Sequence, residues 1–423
     1  MGTCAASDRP AQSVLDPLFL RALYVEHEGE RALIVAFDLC FLGREGSDRF
    51  KTAIGRATGL HERQILLNAS HNHAGPVMGL FYDLFYLPPD WDFLRQVDRA
   101  VVEAAKGAIE RAVEVKLSVT KAESNLSISR RLPRNGTTAN APNPDGPVYR
   151  SLPVCLFSDA SDKPVCVMFV GTGHPTAMQG PHLTADFPGA AMNALDSHLG
   201  VECSLFLAGP GGDSRPRNLV GGASSASSDF HKDWDFSDPE RKIIEAGKTL
   251  ADEVIAALRG EMRQVQPELR AALVETHWPL QKPNRAAYET ILAKPVTDPN
   301  RLNVHRRWAQ RQLELMQRGR QQTDAPVLIQ GIQIGADVRI IAVEGEPVGA
   351  YGYQIERAFG AGVTFALGYS NGDALYLVTS PMLDEGGYEP GSYWEYDFPA
   401  PLAKGMEREL DRGVERLKQS GIH

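Results

Sequence analysis

Three short apolar runs, at 64–67, 165–170 and 338–343, each end within four residues of a histidine or a glutamate: His71, His174, and the pair Glu344 and Glu346. Runs of this length read as buried strands, and strand ends opening into loops are where α/β proteins place their chemistry. Imidazole and carboxylate are first-choice ligands for zinc, and a catalytic zinc takes three protein ligands plus a water. Tyr376 and Tyr388 lie in a tyrosine- and glycine-rich stretch near the C-terminus. A chain that gathers groups from His71 to Tyr376 into one site must bring its two ends together. The expectation is an α/β fold over 1–423, with mixed β-sheets built from hairpins and flanked by helices, as one large domain or two closely packed lobes.

The first run leads into His71-Asn72-His73, two of only eleven histidines, one residue apart. Side chains on an extended segment alternate faces, so these two imidazoles point the same way while Asn72 turns away. Gly75-Pro76 ends the segment. A polar turn with two hydrogen-bonded surface histidines fits the same letters, and the other segments tip the balance.

Read together, those segments resemble a known family. Ser70-His71-Asn72-His73-Ala74-Gly75-Pro76 is similar to the S-H-T-H-S-G-P signature of the neutral/alkaline, non-lysosomal ceramidases. His174-Pro175-Thr176 with Asp186-Phe187-Pro188-Gly189 resembles that family's second histidine block, and Gly345-Glu346 its P-G-E block. Gly368-Tyr369-Ser370-Asn371, Tyr376-Leu377-Val378-Thr379 and Gly387-Tyr388-Glu389 follow the order of its terminal tyrosine block. The resemblance runs in order from about 15 to 417, and four ordered blocks are far more specific than any one of them.

The resemblance implies the catalytic-domain fold of that family and one zinc ion per chain, held by His71, His174, Glu346 and Tyr376. Zinc lowers the pKa of its water to about 7 and polarises a carbonyl under attack. His73, beside the metal, suits the acid that protonates the leaving group, and Tyr388 suits the donor to the oxyanion. Arg131 is the candidate for an arginine facing the substrate, and Asp186 for a carboxylate that orients a ligand histidine, although a carboxylate at a helix start fits it equally. Where the family has G-D-V-S-P-N, this chain has Gly212-Asp213-Ser214-Arg215-Pro216-Arg217. Arg215 thus takes the place of a substrate-facing serine, with Asp213 and Ser214 beside it. An arginine there favours a small polar or anionic substrate over a long lipid chain.

The expected activity is zinc-dependent hydrolysis of an amide bond by metal-activated water. Hydrolysis of an ester or lactone, or lyase or sugar chemistry on the same Lewis acid, is the alternative. A binding protein that keeps the fold without activity is a second one. The expectation is a catalytic region alone, without the accessory C-terminal domain of true ceramidases.

Composition narrows the partners. A formal charge of -9 argues against nucleic acid or an anionic membrane surface, since either calls for a basic patch. A small-molecule substrate remains, and a homo-oligomer is compatible with the sequence. Five cysteines without a C-x-x-C make a poor disulfide framework. Cys40, Cys155, Cys166 and Cys203 lie in or beside apolar runs and are expected to be buried free thiols. The N-terminus lacks a secretory pattern, and no apolar run approaches the ~20 residues of a membrane span, so a reducing cytoplasm is expected.

Along the chain, 20–28 and 31–39 read as a hairpin, 44–58 as a helix and 91–113 as a helix with Phe93, Val97, Val101, Ala105 and Ile109 on one stripe. The loop 77–89 holds Phe81, Tyr82, Phe85 and Tyr86, and is either a wall of the substrate pocket or a core plug. Residues 115–120 read as a strand, 130–147 as a long polar loop, and 154–158 with 164–170 as a hairpin. Helices are expected at 184–199, 238–258 with Ser237 as N-cap, 304–319 and 402–419. Strands are expected at 204–207 and 271–276, with a hairpin of 328–334 and 338–343, while 221–233, rich in Gly, Ser and Asp, reads as mobile.

Overall fold

The computed structural model describes residues 10–76, 78, 90–201, 203–221, 232–294 and 304–423. The aromatic loop 77–89, apart from Met78, and most of 221–233 lie outside the described residues, so the readings of those two segments are not addressed by the structure.

Three mixed sheets make the body of the molecule. In the first, Leu20–His27 and Glu30–Phe37 form the expected hairpin, and Ile65–Ala69 runs parallel to the second strand. A five-stranded sheet orders Cys203–Ala208, Pro164–Gly171, Ser151–Ser158, Lys116–Glu123 and Arg263–Gln264, with only the first pair parallel. A four-stranded sheet orders Arg270–Pro279, Asp324–Gly335, Val338–Val343 and Val363–Leu367, and its last pair is parallel.

Alternation of side chains along these strands builds the layers. Ala32, Ile34 and Leu66 of the first sheet meet Cys155, Met168 and Leu205 of the second and Ile332, Ile340 and Phe365 of the third in one central core. The opposite faces are covered by helices. Leu33, Val35 and Phe37 pack with Phe50 and Ile54 of helix Arg44–Thr58 and Val101 and Ala105 of helix Trp91–Glu110. Val154, Val167 and Phe169 pack with Leu195 and Leu250, from helices Asp186–Leu199 and Pro239–Arg259. Val327, Ile329 and Ile341 pack with Ile355 and Leu410, from helices Gly349–Phe359 and Glu407–Gln419. Strands buried on both faces explain why their sequences read as continuous apolar runs. Among the described residues no helix is long and apolar enough to cross a membrane. Cys40, Cys155, Cys166 and Cys203 are free thiols, with Cys203 only half-buried.

Two expectations are corrected. The segment 130–147 is not a polar loop: Ser127–Arg134 and Thr137–Asn143 form an antiparallel pair, joined to Ser214–Pro216 at its other edge. The tip is Asn135-Gly136, both at positive φ (54° and 77°), as a two-residue hairpin turn requires. The first strand is polar yet buried where Arg130 and Arg131 pair with Glu389. Ser237 does not cap the helix Pro239–Arg259; its N-cap position is Asp238, in the left-handed region and without a side-chain cap.

Candidate metal centre

His71 follows the strand Ile65–Ala69. Ser70 and Asn72 donate their backbone N–H groups to Phe37 O (2.9 Å) and Leu39 O (3.1 Å), which carries the chain past the sheet end. The segment Gly368-Tyr369-Ser370-Asn371 is laced onto the same strand. The Asn68 amide donates to Gly368 O at 2.9 Å and to Ser370 Oγ at 3.0 Å, and Asn371 N donates to Leu67 O at 2.8 Å. This sets the Tyr369 ring in a stack on His71, with centroids 4.3 Å apart.

His71 and His73 do meet, but not by strand alternation. His71 sits at φ +61° and His73 lies in a turn, yet their Nε2 atoms are 3.1 Å apart with the rings nearly perpendicular. His71 is buried, whereas His73 is half-buried.

His174 lies past the strand Pro164–Gly171. Its backbone N–H donates to Ser214 O at 3.0 Å, and its Nδ1 donates to Gly211 O at 2.9 Å. That bond fixes the tautomer and turns the Nε2 lone pair inward. Glu346 and Tyr376 are cross-strand partners in a short parallel ladder, Glu346–Pro347 with Tyr376–Leu377, which explains how residues thirty positions apart face one site. Gly345, at φ +89°, makes the turn that starts this ladder.

The four groups converge. Glu346 Oε2 is 3.2 Å from His71 Nε2 and 3.1 Å from His174 Nε2, and Tyr376 Oη is 2.9 Å from His174 Nε2. Zinc with ligands at about 2.0–2.1 Å in a tetrahedron separates neighbouring donors by about 3.3 Å. Donor type and spacing therefore fit a zinc ion, and His71, His174 and Glu346 form one of two such groups among the described residues. The other, Cys40, His71 and His73, shares His71.

Charge is arranged to match. Burial, then the Arg130 guanidinium, push His174 well below the ordinary histidine range, so it offers a neutral ligand. Burial alone would raise the Glu346 carboxyl, but His71 and His174 hold it well below the usual carboxylate range. Burial holds the Tyr376 hydroxyl far up, against the pull of Arg130, whose Nη2 donates to it at 3.0 Å.

Other expected residues surround these four. Arg131 is bound to Glu389, to Glu385 at 3.1 Å and to Gly386 O at 2.9 Å, so its guanidinium braces the 385–389 segment. The preceding Arg130 shares Glu389 with it, through Oε1 at 2.8 Å from its Nε, and is the one that reaches the centre at Tyr376. Tyr388 places its ring under Arg130 and 5.6 Å from Tyr376, and its hydroxyl donates to Glu395 at 2.8 Å.

Arg215 is buried over the rings of Trp234 (5.1 Å) and Phe236 (5.7 Å); burial and the nearby Arg130 push it down to about 9, still a cation at neutral pH. The Asp213 carboxylate accepts from Gly349 N at 2.9 Å, at the start of a helix, and burial pushes it up to about 6. Ser214 serves through its carbonyl, which holds His174. Asp186 stands at the start of the helix Asp186–Leu199, and its carboxylate accepts from the backbone N–H groups of Ala177, Met178 and Phe187 rather than from a histidine ring. It shapes the loop after His174. Glu344 pairs with Arg44 and points away from the centre.

Two residues of the centre escaped the sequence reading. Arg130 lies where the register of its strand shifts against Thr137–Asn143, between Ser129 and Arg131, so the period-two alternation of a regular hairpin does not single it out. Tyr396 donates its hydroxyl to Glu346 Oε1. Nothing in Ser392-Tyr393-Trp394-Glu395-Tyr396 marks it out from Tyr393.

Among the solved structures that match are two that superimpose over nearly the whole chain. A ceramidase complexed with C2 superimposes with a TM-score of 0.72 at 16% identity, covering 100% of this chain and 73% of that one. A neutral ceramidase from Pseudomonas aeruginosa gives 0.70 at 15%, covering 99% and 73%. The chain has a neutral ceramidase-like fold. At this identity the likeness speaks for the ceramidase-like fold alone, and comparison with protein-family models and with curated proteins gives no match.

Proposed function

We propose that the protein is a metal-dependent hydrolase, with one zinc ion per chain, that cleaves an amide bond in a small polar or anionic substrate. The observation that carries this reading is the convergence of His71, His174, Glu346 and Tyr376, with neighbouring donors 2.9–3.2 Å apart. Zinc bound there supplies a Lewis acid and a water acidified to a pKa of about 7.

The chain's own groups supply the rest. His73, half-buried beside His71, is placed to move a proton between the reacting water and the leaving nitrogen. Arg130, fixed by Glu389, sets a permanent positive charge where negative charge develops on a carbonyl oxygen. Tyr388 adds an oxyanion donor when its hydroxyl exchanges Glu395 for the substrate. Burial, then Arg130, push the Arg215 guanidinium down, whereas Arg130, against its own burial, is held well above its ordinary value by Tyr376 and Glu389, so an anionic group of the substrate would stabilise the Arg215 cation in particular. Amide cleavage, rather than another hydrolysis, is what the resemblance of the ordered sequence blocks to ceramidases implies.

Small N-acyl amino acids, offered to chelator-treated and zinc-restored protein in ¹⁸O-labelled water, test the reading. Hydrolysis that returns with zinc and places the label in the released carboxylate agrees with it. Turnover by the metal-free protein contradicts it, and an unlabelled product means elimination instead.

A further inference from the structure

Glu346 is the one carboxylate of the centre, and its two oxygens are treated differently. Oε2 lies 3.2 Å from His71 Nε2 and 3.1 Å from His174 Nε2, while Oε1 accepts the hydroxyl of Tyr396. Both partners of that bond are buried, so no water competes for Oε1. A carboxylate with both oxygens free binds a cation through one or both. With Oε1 turned to Tyr396, Oε2 is the oxygen that faces both histidines.

The tyrosine is itself held from outside the centre. It ends the short 3₁₀ helix Ser392–Tyr396, followed by Asp397 at φ +61°. Trp394 packs on His305 with centroids 4.4 Å apart, Trp308 Nε1 donates to Phe398 O at 3.1 Å, and Gln312 Nε2 donates to Asp397 O at 3.0 Å. These three contacts come from helix Val304–Gln317, in the excursion between two strands of the four-stranded sheet. The excursion thus clamps the segment that carries Tyr396.

We infer that Tyr396 is a positioning residue that takes up Oε1 of Glu346 and so fixes the carboxylate as a one-oxygen ligand, raising the affinity of the centre for its metal. The inference rests on the metal-centre reading above. Groups that orient a metal ligand cost 10–100-fold in metal affinity when removed.

Tyr396→Phe removes only the hydroxyl, and zinc affinity measured by competition with a fluorescent chelator reads the result without any substrate. Tight zinc binding by the wild type with a 10–100-fold weaker variant, and a changed visible spectrum of its cobalt(II) form, supports the inference. Equal zinc affinity and unchanged cobalt spectra overturn it while leaving the metal centre standing. A wild type that binds no zinc overturns the centre and this role with it. A crystal structure of the zinc-loaded wild type decides independently of the variant's folding: Oε2 alone on the metal with Tyr396 on Oε1 supports the role, and both oxygens on the metal overturn it.

Discussion

Arg215 and Asp38 are buried charges with opposite consequences. Arg215 keeps its charge at neutral pH against aromatic faces near Arg130, an arrangement suited to a substrate anion. Arg215→Met is expected to lower kcat/KM for anionic N-acyl substrates by about 10–100-fold and to leave neutral analogues nearly unchanged. Equal losses on both would remove Arg215 from specificity. Asp38 is a cost. Burial pushes its carboxyl up to about 7, offset in part by the Phe19 N–H and by Arg21. The unfolded chain titrates near 3.9. The stability this neutral acid contributes is complete below about pH 4 and is lost as pH rises through about 7. Asp38→Asn keeps an oxygen for Phe19 N–H and never ionises. Its stability relative to wild type should therefore climb between pH 5 and pH 8, by at most about 3 kcal/mol. Urea unfolding at the two pH values checks this, and a constant difference would refute it.

At the scale of elements, strands read well where both faces are apolar and poorly where the strand is polar. The runs ending at His71, His174 and Glu346 announced themselves by buried residues on both faces of a sheet. Ser127–Arg134 did not, because Arg130 and Arg131 are buried by pairing with Glu389 rather than by apolar packing. Its one local signal was the Asn135-Gly136 turn. The ladder of Glu346 and Tyr376 is only two residues long on each strand, too short for any periodicity. Tyr396 lies beyond sequence reasoning, since its role depends on a helix ninety residues upstream. The ladder also yields a prediction. A Cβ on Gly345 would lie 2.7 Å from Leu375 O, at a φ that L side chains rarely adopt. Gly345→Ala is expected to destabilise the fold by about 2–3 kcal/mol and to weaken zinc binding, because the turn that aims Glu346 must shift. Calorimetry and zinc titration of the variant measure both. An unchanged zinc affinity would separate the turn from the centre.

For the molecule as a whole, the architecture explains why ligands so far apart in sequence meet. The central core joins three sheets, and His71, His174 and Glu346 each lie just beyond the end of a strand in one of them. None of the four ligands belongs to the central three-sheet core, so metal removal should lower the melting temperature without unfolding the chain. At a free zinc concentration about a thousand times Kd, linkage adds about 4 kcal/mol. The melting temperature of the wild type should rise with zinc, and that of His71→Ala should not.

The central claim is that His71, His174, Glu346 and Tyr376 share one ion, and a rival group of Cys40, His71 and His73 stands beside it. Equilibrium dialysis against zinc separates them. One zinc per chain is expected for the wild type and for Cys40→Ser, and none for His174→Ala or Glu346→Gln. Zinc retained by His174→Ala and lost from Cys40→Ser would contradict that claim.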